Sequence, residues 1–350
     1  MVTARSAGVL LEEMLQIPSV TGDEERVAAW LTGRLRDLDF EATRDQAGNV
    51  IATWGSGPSE VVLLGHIDTV PGAIPVRRDN DRLFGRGAVD AKGPLAAAIT
   101  AVARRPKQGA VRYTVIGAVE EEGSSRGAYH LQTGGRRAPA HLIVLEPSGW
   151  DAITLGYKGS LQFTYRLRQA MAHGSAPSPS ASDQAVAFLR TLQDHAAMVS
   201  LGKPAFDRLD VRVLEMAGKP VDGLQESATV RVSLRLPVEI EIVELKEFIR
   251  GWAEGATVDF GTPVPAYRAE KNTALVRAFL HAIRGAQGTP RFKVKSGTSD
   301  MNILAPVWQC PAVAYGPGDS HLDHTPDEAI DLDELERGVS VLTAVLDQLT

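Results

Sequence analysis

The stretch VVLLGHIDTVPG, residues 61–72, decides how the rest of the chain can be interpreted. Residues 61–65 carry no polar side chain, which is typical of a strand buried on both faces of a sheet. His66 and Asp68 follow at once, and side-chain alternation along an extended segment points both to one side. Open α/β sheets hold ligands at the carboxyl ends of their strands. The stretch therefore predicts a ligand site, with a hydrogen-bonded loop histidine as the alternative.

Strand and helix patterns alternate on both sides of this stretch. The predicted strands lie at residues 49–54, 111–119 and 141–145, and an alanine-rich helix occupies residues 93–103. This alternation predicts an α/β domain whose mixed central sheet has helices on both faces.

The pattern changes near Tyr157. Residues 161–168 alternate with period two, and a β-α-β-β-α-β order follows, which is the split βαβ arrangement of a ferredoxin-like α+β domain. The α/β pattern returns after residue 268. We therefore expect a catalytic domain made of residues 1–156 and 269–350, with a smaller domain of residues 157–268 inserted in it.

Composition excludes several classes of protein. The 350 residues are 44% hydrophobic and 23% charged, an ordinary globular composition. A net charge of -6 argues against non-specific nucleic-acid binding. The single cysteine, Cys310, excludes an internal disulfide framework and a cysteine-rich zinc site. No apolar run approaches a membrane span, and acidic residues interrupt the apolar N-terminal stretch, so a cytoplasmic protein without signal peptide is the expectation.

Two further segments combine carboxylates with glycine turns. GRGAVDAKG, residues 85–93, places Asp90 before the alanine-rich helix, where it could also serve only as a cap. This segment lacks the spacing of a phosphate-binding loop. AVEEEGSSRG, residues 118–127, puts three carboxylates at a strand end, where they repel one another. A divalent cation would explain the arrangement, and a solvated acidic turn is the alternative.

Two later segments complete the set. LEPS, residues 145–148, places Glu146 after a buried strand, and YGPGDSHLDHTPDE, residues 315–328, carries His321 and His324. Mixed histidine and carboxylate ligands suit Zn²⁺ and its first-row neighbours. An aspartate shared by two such ions would hold them roughly 3.5–4 Å apart, as in two-metal hydrolases.

In this order the five segments resemble the co-catalytic zinc metallopeptidase family of acetylornithine deacetylase, succinyl-diaminopimelate desuccinylase, aminoacylase and carboxypeptidase G. The resemblance covers essentially the whole chain, and it implies two Zn²⁺ per chain, with Co²⁺ as a possible substitute. It further implies that His66 and Glu146 each bind one metal and that Asp90 bridges both. Glu122 and His324 would complete the second site.

The same resemblance implies roles around the metals. Asp68 would orient His66, and Glu121 would be the general base. The run of three glutamates leaves open a shift of one residue, in which Glu120 is the base and Glu121 the ligand. His321 competes with His324, but the family ligand directly precedes the Thr-Pro-Asp-Glu stretch. The family also has a cis peptide bond after its bridging aspartate, here between Asp90 and Ala91.

The inserted domain resembles the family's lid and dimerisation domain. His173 matches a lid histidine that, in dimeric members, reaches the partner's active site and helps to stabilise the oxyanion. Arg235 matches a lid arginine that can hold a substrate carboxylate. A homodimer is therefore expected from the resemblance.

Three stretches, residues 149–159, 295–302 and 315–320, are similar to the family members that release lysine or ornithine from a carrier protein. That carrier, LysW, is small and acidic, and the amino acid is joined to the γ-carboxyl of its C-terminal glutamate. Lys158, Thr298 and Ser299 are the candidate substrate contacts. The alternatives are a deacetylase or dipeptidase acting on small N-acyl amino acids and, less favoured, a metal-binding protein without activity.

Overall fold

A computed structural model describes residues 6–175 and 177–349. Its helices are α1 (Ala7–Leu15), α2 (Glu25–Asp37), α3 (Lys92–Ala103), α4 (Arg126–Thr133), α5 (Ala181–Ser200), α6 (Ile242–Trp252), α7 (Ala274–Gly285), α8 (Met301–Trp308) and α9 (Leu332–Gln348). Its strands are β1 (Glu41–Arg44), β2 (Val50–Trp54), β3 (Ser59–His66), β4 (Arg77–Asp79), β5 (Arg82–Phe84), β6 (Val111–Ala118), β7 (His141–Val144), β8 (Ala152–Tyr157), β9 (Gly159–Ala170), β10 (Asp210–Pro220), β11 (Gln225–Leu236), β12 (Thr257–Phe260), β13 (Tyr267–Arg268), β14 (Arg291–Lys295), β15 (Ala312–Ala314) and β16 (Ala329–Asp331). Within the described ranges, no helix is both long and apolar enough to cross a membrane.

The larger of two compact units comprises Met1–Gly156, Ala269–Val294 and Ser299–Thr350. Its sheet has the order β1-β2-β6-β3-β7-β15-β8. Strand β3 pairs in parallel with β6 and β7, and β15 pairs in parallel with β7, whereas β1, β2 and β8 run antiparallel to their neighbours. The buried helix α3 packs against β3, α1 and α9. The predicted α/β class with a mixed sheet is confirmed.

The parallel register brings the candidate site residues to one edge of this sheet. His66 opposes Ala118 at the carboxyl ends of β3 and β6. Val144, the last residue of β7, opposes Leu64 of β3 and Ala314 of β15. The segments that follow these four strands therefore begin side by side.

A short three-stranded sheet adds the remaining segment of the site. Its order is β16-β5-β4, and Phe84 of β5 opposes Ala329 of β16. This pairing holds the glycine-rich segment after β5 beside the segment that precedes β16. Two loops more than 230 residues apart in sequence therefore meet.

The smaller unit comprises Tyr157–Arg268 and Lys295–Thr298. Its β9-α5-β10-β11-α6-β12 sequence forms an antiparallel sheet of order β10-β11-β9-β12. Phe163, Tyr165 and Phe188 belong to its apolar core, where the Tyr165 and Phe188 rings stack with centroids 4.6 Å apart. The predicted ferredoxin-like topology is confirmed. Strand β10 forms an edge of the sheet and is exposed along nearly its whole length.

Candidate metal centre

The five candidate segments lie in the larger unit, at the edge where its parallel strands end. His66 is the last residue of β3, and the segments after β6, β7 and β15 carry Glu121 and Glu122, Glu146 and His324 respectively. Asp90 follows β5 and precedes α3. The peptide bond between Asp90 and Ala91 is cis, which confirms that expectation from the family resemblance.

Four of the predicted ligands converge. Nε2 of His66 lies 3.2 Å from Oδ1 of Asp90, and Nε2 of His324 lies 3.0 Å from Oδ2 of the same carboxylate. His324 Nε2 also lies 2.7 Å from Oε1 of Glu122. Ligand atoms of His66, Asp90 and Glu122 are all within 4.8 Å of one another. Asp90 thus stands between two histidines, one on each carboxylate oxygen, as a bridging ligand would.

The electrostatics of the cluster favour positive charge between its carboxylates. Hydrogen bonds with Asp90 and Glu122 raise the pKa of His324 to about 10. Burial opposes protonation of His66, but hydrogen bonds with Asp68 and Asp90 outweigh it and raise the His66 pKa well above its usual value. Burial likewise opposes charge on Asp90, yet both histidines hold its pKa well below its usual range. This donor set fits divalent transition metals, which prefer imidazole and carboxylate together.

Asp68 contacts both His66 and the acidic segment after β6 and so fixes their relative positions. Nδ1 of His66 lies 3.0 Å from the main-chain oxygen of Asp68 and 3.3 Å from its Oδ1. Nε2 of the same ring faces Asp90. A proton on Nδ1 leaves Nε2 unprotonated in the neutral ring, and an unprotonated nitrogen is the one that can bind a metal. The backbone N–H groups of Glu121 and Glu122 each donate to the Asp68 carboxylate at 3.1 Å. Such contacts orient a metal-binding imidazole and select its tautomer.

The three glutamates after β6 have different surroundings. Glu122 contacts His324, whereas Glu120 turns away and accepts hydrogen bonds from Ser124 and from Arg126 at 2.7 Å. Burial, together with the negative charge of Glu146, raises the pKa of Glu121 well above its usual value. Glu146 itself is buried. These contacts favour the register in which Glu121 is the base and Glu122 the ligand.

The competing histidine lies outside the cluster. His321 is 87% exposed and its Nδ1 lies 3.2 Å from Oδ1 of Asp319. His324, in contrast, adopts a positive φ of 62° and directs Nε2 at two carboxylates. The structure therefore favours His324 over His321 as the metal-ligating histidine.

The predicted substrate contacts lie in several places. Ser299 belongs to the larger unit and is buried, and its backbone N–H donates to Asn302. Lys158, Arg235, His173 and Thr298 belong to the smaller unit. The ammonium of Lys158 is buried and bonded to Asp210 and to the Arg208 carbonyl.

Arg235 and His173 differ in exposure. Arg235 is half-buried on β11, and burial, followed by the nearby charge of Arg212, lowers its pKa. His173 is exposed, and its Nδ1 lies 2.8 Å from the Ser175 hydroxyl. The substrate roles of these residues stay predictions.

Four residues near the site carry no role in the sequence interpretation. Thr21 donates from its hydroxyl to Oδ2 of Asp68 at 2.9 Å. Asp300 is buried, and Glu328 and Arg86 form an ion pair of 2.8 Å behind the Asp90 segment. Arg86, Asp300 and Glu328 fall within the motifs quoted above. Their positions in these motifs were the signal that could have marked them as candidate site residues. The pairing of Arg86 with Glu328 was not visible in the sequence, because the two residues lie in distant segments.

Comparisons with known proteins agree with this geometry. The model of peptidase family M20/M25/M40 matches residues 62–348. A LysW-lysine hydrolase of Deinococcus radiodurans is 43% identical, with 99% of this chain and 98% of that protein covered. A putative LysW-lysine/LysW-ornithine hydrolase of Pyrococcus abyssi is 39% identical, with 97% and 93% covered. The crystal structure of aminopeptidase PepT from Bacillus cereus shares the fold, with a TM-score of 0.82, 18% identity and 99% of both chains covered. The chain therefore belongs to peptidase family M20/M25/M40.

Proposed function

We propose that this protein is a dinuclear metal-dependent hydrolase that releases lysine, and also ornithine, from the carrier protein LysW. The bond cleaved is the amide between the amino acid and the γ-carboxyl of the carrier's C-terminal glutamate. The observation that carries the proposal is full-length similarity, at 43% identity, to a relative named LysW-lysine hydrolase. The cluster of His66, Asp90, Glu122 and His324 supports a hydrolytic reaction at a metal centre.

The residues present fit two zinc ions, with cobalt as a substitute. His66 and Glu146 would hold one ion, Glu122 and His324 the other, and Asp90 would bridge them. Two bound ions would supply Lewis acidity, which activates water and polarises the substrate carbonyl. The donor arrangement supports this assignment because each oxygen of Asp90 already faces a different histidine.

Glu121 is the proposed general base. Burial and the negative charge of Glu146 raise the pKa of its carboxyl group, which makes the carboxylate a stronger proton acceptor. It takes a proton from the attacking water and passes that proton to the nitrogen of the departing lysine. Asp68 contributes by holding His66 and the backbone of Glu121 in place.

Substrate recognition is assigned to the remaining predicted residues. Arg235 would hold a substrate carboxylate, and His173 of the partner subunit would stabilise the oxyanion. Lys158, Thr298 and Ser299 would shape the substrate site. The similarity of residues 149–159, 295–302 and 315–320 to carrier-specific hydrolases supports these assignments. A homodimer and a cytoplasmic location complete the proposal.

A mass-spectrometric hydrolysis assay tests the proposed substrate. Zinc-loaded enzyme is incubated with LysW that bears γ-glutamyl-linked lysine or ornithine and, in parallel, with N-acetylornithine and simple dipeptides. We expect free lysine and ornithine to appear with the carrier substrates, and we expect chelator-stripped enzyme to release neither. Cleavage of the small substrates alone would retain the metal-dependent reaction but refute the carrier as substrate.

A further inference from the structure

A second buried carboxylate lies behind the metal-binding cluster. Glu328 is four residues beyond His324 and is 0% exposed. It closes the HTPDE motif, and no step of the proposed reaction uses it. A carboxylate removed completely from water is costly unless hydrogen bonds and an opposite charge compensate it, so its partners indicate what it does.

One oxygen of Glu328 organises the backbone that carries Asp90. Oε1 accepts hydrogen bonds from the N–H groups of Gly87 at 3.1 Å, Val89 at 2.9 Å and Asp90 at 3.1 Å. Three donors on a single oxygen fix the path of this turn. One of those donors is the main chain of the bridging residue itself.

The other oxygen connects this turn to the His324 segment. Oε2 of Glu328 accepts from Nη1 of Arg86 at 2.8 Å, and the same nitrogen lies 3.1 Å from the carbonyl oxygen of Thr325, the residue after His324. Nε of Arg86 also donates to the carbonyl of Gly72 at 3.0 Å. The pair therefore links the segments after β3, β5 and β15.

We propose that Glu328, through its pairing with Arg86, is a positioning residue that sets the distance between the Asp90 carboxylate and the His324 imidazole and thereby the metal affinity of the site. The inference rests on the proposed metal centre. A neutral amide in place of the Glu328 carboxylate would present an N–H group to either Arg86 or the backbone donors, so one set of contacts would be lost.

The test compares Glu328→Gln with Glu60→Gln. Glu60 is also buried, and it accepts from the Thr114 hydroxyl and from Arg136, both at 2.6 Å. It lies at the opposite end of β3 from His66 and therefore reports the effect of losing a buried carboxylate away from the metals. Zinc dissociation constants are measured on chelator-stripped full-length protein by competition with a chromogenic chelator, and the cobalt-loaded forms are compared by visible absorption.

We expect Glu328→Gln to weaken zinc binding at least tenfold and to alter the cobalt spectrum, as for other residues that support metal ligands. Glu60→Gln should stay within about twofold of the wild type, with an unchanged spectrum. If Glu328→Gln does not fold, the double variant Arg86→Gln/Glu328→Gln, which removes both charges together, is expected to show the same loss.

Wild-type zinc affinity and an unchanged cobalt spectrum in either folded variant would overturn the inference. So would an equal loss of affinity in Glu60→Gln, because the effect would then be one of general stability. Failure of the wild-type protein itself to bind metal would instead refute the proposed function. The two failures are therefore distinguishable.

Discussion

At the scale of single residues, Asp68 explains why separate segments form one site. Its carboxylate accepts hydrogen bonds from the Thr21 hydroxyl and from the backbone of Glu121 and Glu122, while Nδ1 of His66 lies 3.3 Å from Oδ1. The side chain is fully buried, so each of these donors replaces a lost contact with water. A single carboxylate thus fixes one candidate metal-ligating imidazole and the acidic segment that carries the proposed base and the proposed ligand.

Substitution of the proposed base should separate catalysis from metal binding. We expect Glu121→Gln to lower the turnover number by about 10²–10⁴, the usual contribution of a general base, while the bound metal content stays at the wild-type value. Turnover is measured by lysine release and metal content by elemental analysis of the dialysed protein. Activity close to wild type would exclude Glu121 as the base.

The neighbouring glutamate supplies the matched control. Glu120→Gln removes an equal charge one residue earlier, but its carboxylate faces Ser124 and Arg126. We expect turnover within a few-fold of wild type in this variant. A large loss in Glu120→Gln together with metal loss in Glu121→Gln would instead support the alternative register of base and ligand.

Asp300 is a buried acid whose protonation should make stability depend on pH. Burial raises its pKa to about 7, with the negative charge of Asp68 contributing, and one of its oxygens accepts no hydrogen bond from the described residues. An unfolded aspartate titrates near 3.8. As pH rises from 4 to 7, the unfolded state loses this proton first. The folded protein is therefore destabilised progressively over that interval.

The variant Asp300→Asn should remove this penalty. In chelator-treated protein we expect its gain in unfolding free energy over wild type to be about 2–3 kcal/mol larger at pH 8 than at pH 5. Urea unfolding of both proteins at the two pH values provides the measurement. A gain that does not change with pH would show that the side chain titrates normally in the folded protein.

The candidate metal ligands were recognisable from the sequence, but the residues that support them were not. His66, Asp90, Glu146 and His324 each follow a strand or glycine turn with metal-capable chemistry. Glu328, in contrast, derives its importance from backbone donors 238–241 residues away. Its position in a motif is visible in the chain, but its contacts exist only after β5 and β16 have paired.

At the scale of elements, the sequence pattern identified most of the helices and strands of both units, and strands β4, β5 and β16 and helix α8 are among those that it left unassigned. Strands β4, β5 and β16 have three residues each, which is too few to display a period. Helix α8 contains Pro306, a residue that normally interrupts a helix, and the sequence interpretation assigned no helix there. Its buried residues show that tertiary packing outweighs the local preference.

The turn between β5 and α3 should tolerate no side chain at Gly87. This residue has a φ of +90°, and an added Cβ would approach Cγ2 of Thr69 to 2.9 Å. We expect Gly87→Ala to lower the unfolding free energy by about 1–2 kcal/mol from backbone strain alone, and to weaken zinc binding because the turn carries Asp90. Urea unfolding and zinc titration measure the two effects.

Gly135→Ala is the control that separates the effect of backbone strain from an effect on the position of Asp90. Gly135 also has a positive φ, +69°, but an added Cβ would meet no atom within 4 Å. We expect a similar loss of stability in this variant with unchanged zinc affinity. Equal zinc affinity in the two variants would show that the Gly87 turn is not needed to place Asp90.

At the scale of the whole molecule, the smaller unit has an edge strand that needs explanation. Strand β10 runs for eleven residues with one side unpaired by any described strand, and Leu214 and Met216 are 42% and 44% exposed. Long exposed edges of this kind invite pairing with another chain. The proposed homodimer would cover β10 by pairing it with β10 of a second copy.

The double variant Leu214→Lys/Met216→Lys should weaken such a dimer. In a symmetric interface each substitution is present in both copies, and lysine on an edge strand opposes strand pairing. We expect the dimer dissociation constant, measured by sedimentation velocity, to rise at least tenfold. Val243→Lys is the control, because Val243 is 72% exposed on α6 and its substitution should leave the constant unchanged. A wild-type monomer at micromolar concentration would refute the dimer, whereas an undisturbed dimer in the double variant would place the interface elsewhere.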